Sequence, residues 1–192
     1  PFYYPEFTNE LHYECEIVLR VCKNGKYIQE KHAPNYYDAV TVGIDFTARD
    51  IQDELKKKGL PWEKAKAFDN SAVLGKFIEL TPDFNRKSIN FSLLKNKELV
   101  QKANSSQMIF SFEKIIENIS NYFSLNNQKL QVLDTGKHNP CSLYICHNPQ
   151  QEQCLLKVWL LHLVYKKKYK DYKQSHISNP LSHKVLLRLS RV

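Results

Sequence analysis

The sequence predicts a mostly β chain of the α+β class, and three observations predict it. Residues 11–22 alternate in character with period two, the signature of a strand. Further β-prone stretches follow at 38–44, 72–80 and 89–94. Two segments, 47–58 and 110–123, instead space their apolar residues three and four apart, as helices do.

In the first strand Leu11, Tyr13, Cys15, Ile17, Leu19 and Val21 share one face, and His12, Glu14, Glu16, Val18 and Arg20 share the other. This alternation predicts one buried face. Lys23-Asn24-Gly25-Lys26 reads as a tight hairpin turn, because Asn-Gly supplies the positive φ such turns need, with Tyr27–Gln29 as the returning strand. Asp38–Ile44 is a second strand. Thr47 is placed to cap the helix that follows, with Asp50 three residues on. Ile51 and Leu55 form its apolar face, Lys56, Lys57 and Lys58 complement its dipole, and Gly59 and Pro61 end it. Arg49 and Gln52, three apart, share a face of this helix. Asp45 is expected at the junction of strand and helix, where a side chain emerges at the rim of a rigid scaffold. In the second helix Phe112, Ile115, Ile116, Ile119 and Phe123 form the apolar stripe.

A chain of 192 residues is long enough for one domain with a sizeable core. Its net charge of +8 is concentrated at one end, since residues 157–192 carry nine Lys/Arg and one Asp and the remainder is neutral. A neutral body with a basic tail does not have the composition of a nucleic-acid-binding domain. No apolar run approaches the ~20 residues that cross a bilayer, so no membrane partner is expected. Five cysteines, an odd number, argue against a complete disulfide framework and for a reducing compartment, read as the cytoplasm. After Gln128 the character changes. From residue 76 onward only Gly136 is a glycine, and Cys154–Lys173 reads as an apolar-then-basic helix. His138, Cys141, Cys146, His147 and Cys154 approach zinc-ligand spacing only loosely.

Glu14 and Glu16 lie at i and i+2 of the first strand, so they point the same way with origins roughly 6–7 Å apart. Both carboxylates reach a single ion from there. With Asp45 as a third, about three coordination positions stay open for water and substrate oxygens. All-oxygen ligands select a hard cation, Mg²⁺ or Mn²⁺. Spacing alone favours an ordinary solvated strand face and a surface position for Lys66, and leaves Arg49 equally open to a structural ion pair with a nearby acid such as Asp53.

Five segments carry a resemblance. They are Leu11-His-Tyr-Glu-Cys-Glu-Ile17, Asp45-Phe-Thr-Ala-Arg-Asp-Ile-Gln52, Lys58-Gly-Leu-Pro-Trp62, Ala65-Lys-Ala-Phe-Asp69 and Asn104-Ser-Ser-Gln-Met-Ile-Phe110. In this order, over roughly residues 8–128, the chain resembles the fumarylacetoacetate hydrolase family, nearest its small acylpyruvate hydrolase, or fumarylpyruvate hydrolase-like, branch. The resemblance implies a mixed β-sheet roll of that family's C-terminal-domain type with a few short helices. It implies a metal held by Glu14, Glu16 and Asp45, a catalytic Lys66 beside it, and substrate-facing Arg49 and Gln52. It also implies a small keto-acid substrate and a homodimer.

The implied activity is hydrolysis of a C–C bond in acylpyruvates such as fumarylpyruvate or acetylpyruvate, in the catabolism of aromatic compounds. A 2,4-diketo acid chelates the cation through its carboxylate and keto oxygen, and the cation stabilises the pyruvate enolate that leaves. Lys66 adds positive charge, or moves a proton if burial and the cation depress its pKa. Arg49 is suited to a bidentate carboxylate pair. The alternatives are oxaloacetate decarboxylation or tautomerisation on the same scaffold, and a catalytically inactive remnant.

Two departures qualify the resemblance. Family members carry an earlier lid segment with a catalytic His and acid, and this sequence starts downstream of it. The family's Thr-Gly-Thr-Pro turn is reduced to Thr135-Gly136. The expected organisation is therefore an incomplete catalytic domain over 1–128 and a divergent basic tail over 129–192, with a shifted reading frame near 127–133 as its origin.

Overall fold

The computed structural model describes residues 3–127, and the backbone of 130–133, 142–146, 155–159 and 185–190. The strands are β1 Leu11–Val21, β2 Tyr37–Ala48, β3 Ala72–Leu74, β4 Ile78–Glu79, β5 Asn90–Lys95, β6 Glu98–Asn104, β7 Leu130–Leu133, β8 Ser142–Cys146, β9 Leu155–Trp159 and β10 Val185–Ser190. The helices are α1 Arg49–Lys57, α2 Glu63–Lys66 and α3 Phe112–Tyr122. One sheet runs β3-β2-β1-β7, with β4 also on β2; a second runs β10-β5-β6; β8 pairs with β9. Every pairing among these strands is antiparallel. This is the α+β, sheet-dominated architecture the sequence predicts.

The centre of the molecule is the long β1–β2 pair, in register from Leu11↔Ala48 to Arg20↔Ala39, with a shift of one residue at Val21↔Tyr37. Its expected apolar face is covered twice. Toward Val21, α3 lays Ile115, Ile116 and Ile119 against Ile17, Leu19, Val40 and Val42. Burying each such side chain contributes about 1.5–3 kcal/mol. Toward Leu11, Leu93 of β5 packs on Leu11, Tyr13, Ile44 and Phe46. The opposite face was expected in solvent. It is buried as well, because α2 packs on it through Lys66 and the chain around β3, the strand beside β2 in the same sheet, supplies side chains to it. His12, Glu16 and Val18 are all buried there, and Ala72, Leu74 and Phe77 pack on Val18.

The Asn24-Gly25 hairpin does not form. Gly25 donates its N–H to the Leu125 carbonyl (3.1 Å) and accepts from the Leu125 N–H (2.7 Å). Tyr27 N–H donates to the Ser120 carbonyl and Ile28 N–H to the Ser120 hydroxyl. The segment is thus tied to the end of α3, and a 3-10 turn at Glu30–Tyr36 leads into β2. Glycine is needed here for space, since a Cβ at position 25 would stand 2.4 Å from Tyr36 Cε1. Gly25→Ala is expected to destabilise the protein by about 1–3 kcal/mol through overpacking, read as a lowered urea midpoint at unchanged slope.

The hairpin that does form joins β5 to β6 through Asn96 (φ 52°) and Lys97 (φ 73°), both in the left-handed region as a two-residue primed turn requires. At α1 the cap differs from expectation. Thr47 still belongs to β2, and Ala48 is the N-cap without a side-chain bond. Asp50 anchors the helix start instead, accepting from Ile51 N–H, Asn9 N–H and the Thr8 hydroxyl. Gly59 (φ 63°) ends the helix as expected, with Gly59 N–H on the Lys56 carbonyl and Leu60 N–H on the Leu55 carbonyl.

Beyond residue 128, β7 adjoins β1 and β10 adjoins β5. Leu155–Trp159 is a strand, not the start of the expected 154–173 helix, and pairs with Ser142–Cys146 in a local antiparallel ribbon. Residues 160–184, Thr135-Gly136 and the zinc-like positions His138, Cys141, His147 and Cys154 lie outside the described residues. Among the described residues no helix is long and apolar enough to cross a membrane.

Candidate active site

The buried second face of β1–β2 gathers the acidic residues. Glu14 stands directly opposite Asp45 in the register, and Glu16 opposite Gly43. Residues paired across antiparallel strands share a face, so all three carboxylates project to the same side. One oxygen from each lies within 4.8 Å of the others. Glu16 and Asp45 are 1% and 2% exposed, whereas Glu14 keeps an open flank. Asp45 lies inside β2 and not at its end, because pairing with β1 extends the strand to Ala48. Gly43 leaves room beside Glu16, where a Cβ would approach Val18 Cγ2 to 3.0 Å and the Val73 carbonyl to 3.1 Å.

Two cations meet this cluster. Lys66, at the end of the short helix α2, is 1% exposed and its Nζ donates to Glu14 Oε2 (2.7 Å) and Asp45 Oδ2 (2.8 Å). It is no surface lysine. Arg49, the first residue of α1, donates from Nη2 to Glu14 Oε1 (2.7 Å), from Nε to His12 Nδ1 (3.2 Å) and from Nη1 to Gln52 Oε1. Its carboxylate partner is Glu14 and not Asp53. Gln52 is fully buried. Its Nε2 and the Thr47 hydroxyl, also buried, have no hydrogen-bond partner among the described residues. Buried polar atoms in this condition need explaining, and both lie in or beside the cluster's own segments.

The charges set one another. Burial alone would raise the Glu14 carboxyl, but Lys66 and Arg49 outweigh it and bring it down to about 2. Burial would lower Lys66, but Asp45 and Glu14 outweigh it and hold the ammonium above the ordinary lysine range. Without a metal Lys66 therefore carries its proton at neutral pH, which agrees with the first of its two expected roles, added positive charge. Burial, with Glu16 adding, pushes the Cys15 thiol up to about 12, which leaves it an inert neighbour.

The donor set fits a hard divalent cation. It is all oxygen, it is sequestered, and it spans the right size. Oxygens about 2.1 Å from one octahedral ion stand about 3.0 Å apart at right angles and about 4.2 Å apart across it, so oxygens within 4.8 Å of one another come to a common ion by side-chain adjustments of at most about 2 Å. Each position named from sequence (Glu14, Glu16, Asp45, Lys66, Arg49 and Gln52) lies in this one cluster. Read from sequence, His12 on this face has no site role and Thr47 is a helix cap, whereas the two are cross-strand partners beside the cluster. Their spacing of two residues from Glu14 and Asp45 carried that signal.

The family model described as Fumarylacetoacetate (FAA) hydrolase C-terminal matches residues 1–136. The chain is 36% identical over 139 residues to the mitochondrial oxaloacetate tautomerase of Rattus norvegicus, covering 71% of this chain and 62% of that protein. It is 34% identical over 128 residues to an oxaloacetate tautomerase of Escherichia coli, covering 65% and 58%. Among solved structures, fumarylpyruvate hydrolase from Pseudomonas aeruginosa, in complex with Mn²⁺ and pyruvate, aligns with a TM-score of 0.62 and 32% identity over 66% of this chain and 55% of that one. The chain thus spans about three fifths of the length of the curated relatives it matches.

Proposed function

Because the chain belongs to the fumarylacetoacetate hydrolase family, we propose that it is a divalent-metal-dependent enzyme of 2-keto acids that bear a second carbonyl or carboxyl at C-4. Glu14, Glu16 and Asp45 would hold Mg²⁺ or Mn²⁺, Lys66 would face the reacting oxygen, and Arg49 and Gln52 would hold the substrate. The observation that carries the reading is the convergence of three carboxylates and a buried ammonium, from β1, β2 and α2, on one point.

The reactions within reach share one requirement, which is stabilisation of negative charge on the C-2 oxygen. A divalent ion bound there supplies Lewis-acid polarisation of that oxygen. Lys66 keeps a proton at Nζ and is fixed by two carboxylates, so it presents a positive charge and a donor that need no reorganisation. The Gln52 Nε2 group offers a donor already stripped of water, and each terminal nitrogen of Arg49 keeps a second hydrogen for a substrate carboxylate.

Oxaloacetate tautomerisation is the first reading. It asks the site for enolate stabilisation and proton movement at C-3, with no attacking water, and the curated relatives at 34% and 36% identity carry that name. Acylpyruvate cleavage is the second, favoured by the likeness to the Pseudomonas aeruginosa fumarylpyruvate hydrolase. It needs an activated water as well. The test is to strip the purified chain with chelator, restore Mn²⁺ or Mg²⁺, and follow loss of enol-oxaloacetate and consumption of acetylpyruvate in parallel. Stripping should reduce turnover about 100-fold or more, and metal should restore it. Turnover indifferent to chelator would refute both readings, and faster loss of acetylpyruvate would select the second.

A further inference from the structure

Glu14 is held from both edges of its strand, and the two edges are built differently. On one edge β2 pairs with β1 along its whole length. On the other, β7 pairs only with Ile17–Arg20, so its ladder stops short of the acidic residues. There, side chains stand in for a strand. The Tyr4 hydroxyl accepts from Leu11 N–H (3.1 Å). The Gln101 amide accepts from Cys15 N–H through Oε1 (2.9 Å) and donates from Nε2 to the Tyr13 carbonyl (3.1 Å).

The two Gln101 bonds flank Glu14. In an antiparallel ladder the N–H and C=O of alternate residues point to alternate edges, so residues 13 and 15 turn away from β2 while residue 14 turns toward it. A partner opposite residue 14 must accept from 15 and donate to 13. A primary amide does both, as a peptide unit would. A carboxylate cannot donate, an ammonium cannot accept, and methionine does neither. Gln101 reaches this place from β6, opposite Leu93 of β5, which is itself locked into the core against Leu11 and Tyr13. The second sheet therefore grips the backbone that carries Glu14.

We propose that Gln101 is a positioning residue for the metal centre, acting as a one-residue strand that fixes the backbone on either side of Glu14 and so sets where its carboxylate meets Glu16 and Asp45. The inference rests on the metal-site reading given above. Groups that orient a metal ligand typically matter 10- to 100-fold (about 1–3 kcal/mol) in metal affinity when removed.

The experiment is calorimetric titration of Mn²⁺ into the full chain and into Gln101→Met, Gln101→Glu and Tyr4→Phe, with amide hydrogen exchange at Cys15. Gln101→Met should weaken Mn²⁺ binding about 10- to 100-fold and accelerate exchange at the Cys15 amide. Gln101→Glu, which keeps the acceptor, should fall between it and the parent and supplies the comparison if the methionine variant fails to fold. Tyr4→Phe removes the rung three residues away and should lower the melting temperature while leaving Mn²⁺ affinity unchanged, separating positioning from general stability. Mn²⁺ affinity unchanged in both Gln101 variants while the parent binds Mn²⁺ would overturn the role of Gln101 alone. A parent chain that binds no Mn²⁺ would overturn the metal reading, and this role with it.

Discussion

Lys66→Met is expected to cost the metal-free protein about 3–5 kcal/mol, the usual cost of breaking a buried ion pair by removing one member. Methionine matches the length of the lysine stem and packs acceptably where Lys66 is 1% exposed. What it removes is the ammonium between Glu14 and Asp45, leaving the cluster with Arg49 as the cation shown on Glu14. The loss should appear as a lowered denaturant midpoint in chelator-containing buffer. Mn²⁺ should restore part of it, since an ion at 100 times its dissociation constant contributes about 2.7 kcal/mol. The acid limb changes too. In the parent the Glu14 carboxyl lies at about 2, below its ordinary 4.5, so it contributes stability that is full above about 4.5 and lost as pH falls toward 2. Without Lys66 that dependence should flatten. Turnover of the metal-saturated variant should fall about 100- to 1,000-fold, as when one preorganised donor is removed from a reacting oxygen. A variant with parental stability in chelator and parental turnover would show that the ammonium has neither role.

What could be read from the sequence and what could not divide along a physical line. The Glu14–Glu16 pair was readable because strand periodicity fixes side-chain direction locally. Once Leu11–Val21 is a strand, Glu14 and Glu16 must point together. That Asp45 faces Glu14 depends on a register set by residues far apart in sequence, and only the resemblance supplied it ahead of the structure. Helix α3 was readable for the same local reason, its stripe at Phe112, Ile115, Ile116 and Ile119 being fully used in the core. The hairpins show the limit. Asn24-Gly25 has the favoured composition, yet Leu125 and Ser120 claim its backbone. Asn96-Lys97 has a poorer composition and makes the turn, because the paired strands on either side hold both residues at positive φ. Tertiary demand outweighed local preference at both places.

The burial of Lys66 was hidden for a related reason. Nothing in Ala65-Lys-Ala-Phe-Asp69 distinguishes a solvated lysine from a buried one, and the decision is made by α2 folding back onto the polar face of β1–β2. The same closure sets the pKa direction in the metal-free protein. A lysine buried alone loses its proton more readily, whereas one buried between Glu14 and Asp45 keeps it. In the metal-free protein this makes Lys66 a donor and a source of positive charge.

Asp45→Asn is expected to separate function from stability. Asparagine preserves shape and one oxygen, so Lys66 keeps an acceptor at position 45 as well as its bond to Glu14 Oε2. It also removes one of three charges crowded within 4.8 Å, which relieves repulsion in the metal-free state. The melting temperature in chelator should therefore change far less than in Lys66→Met. The metal is affected differently. A hard dication draws most of its binding energy from anionic oxygens, and a neutral amide oxygen replaces one of them. Mn²⁺ affinity should fall about 100-fold or more, beyond the range typical of residues that only orient a ligand, and turnover about 1,000-fold at subsaturating metal. Addition of Mn²⁺ should no longer raise the melting temperature as it does for the parent. If Asp45→Asn and the parent gain the same thermal shift from Mn²⁺, the ion is held elsewhere, and the face shared by Glu14, Glu16 and Asp45 is a structural ion-pair network built around Lys66.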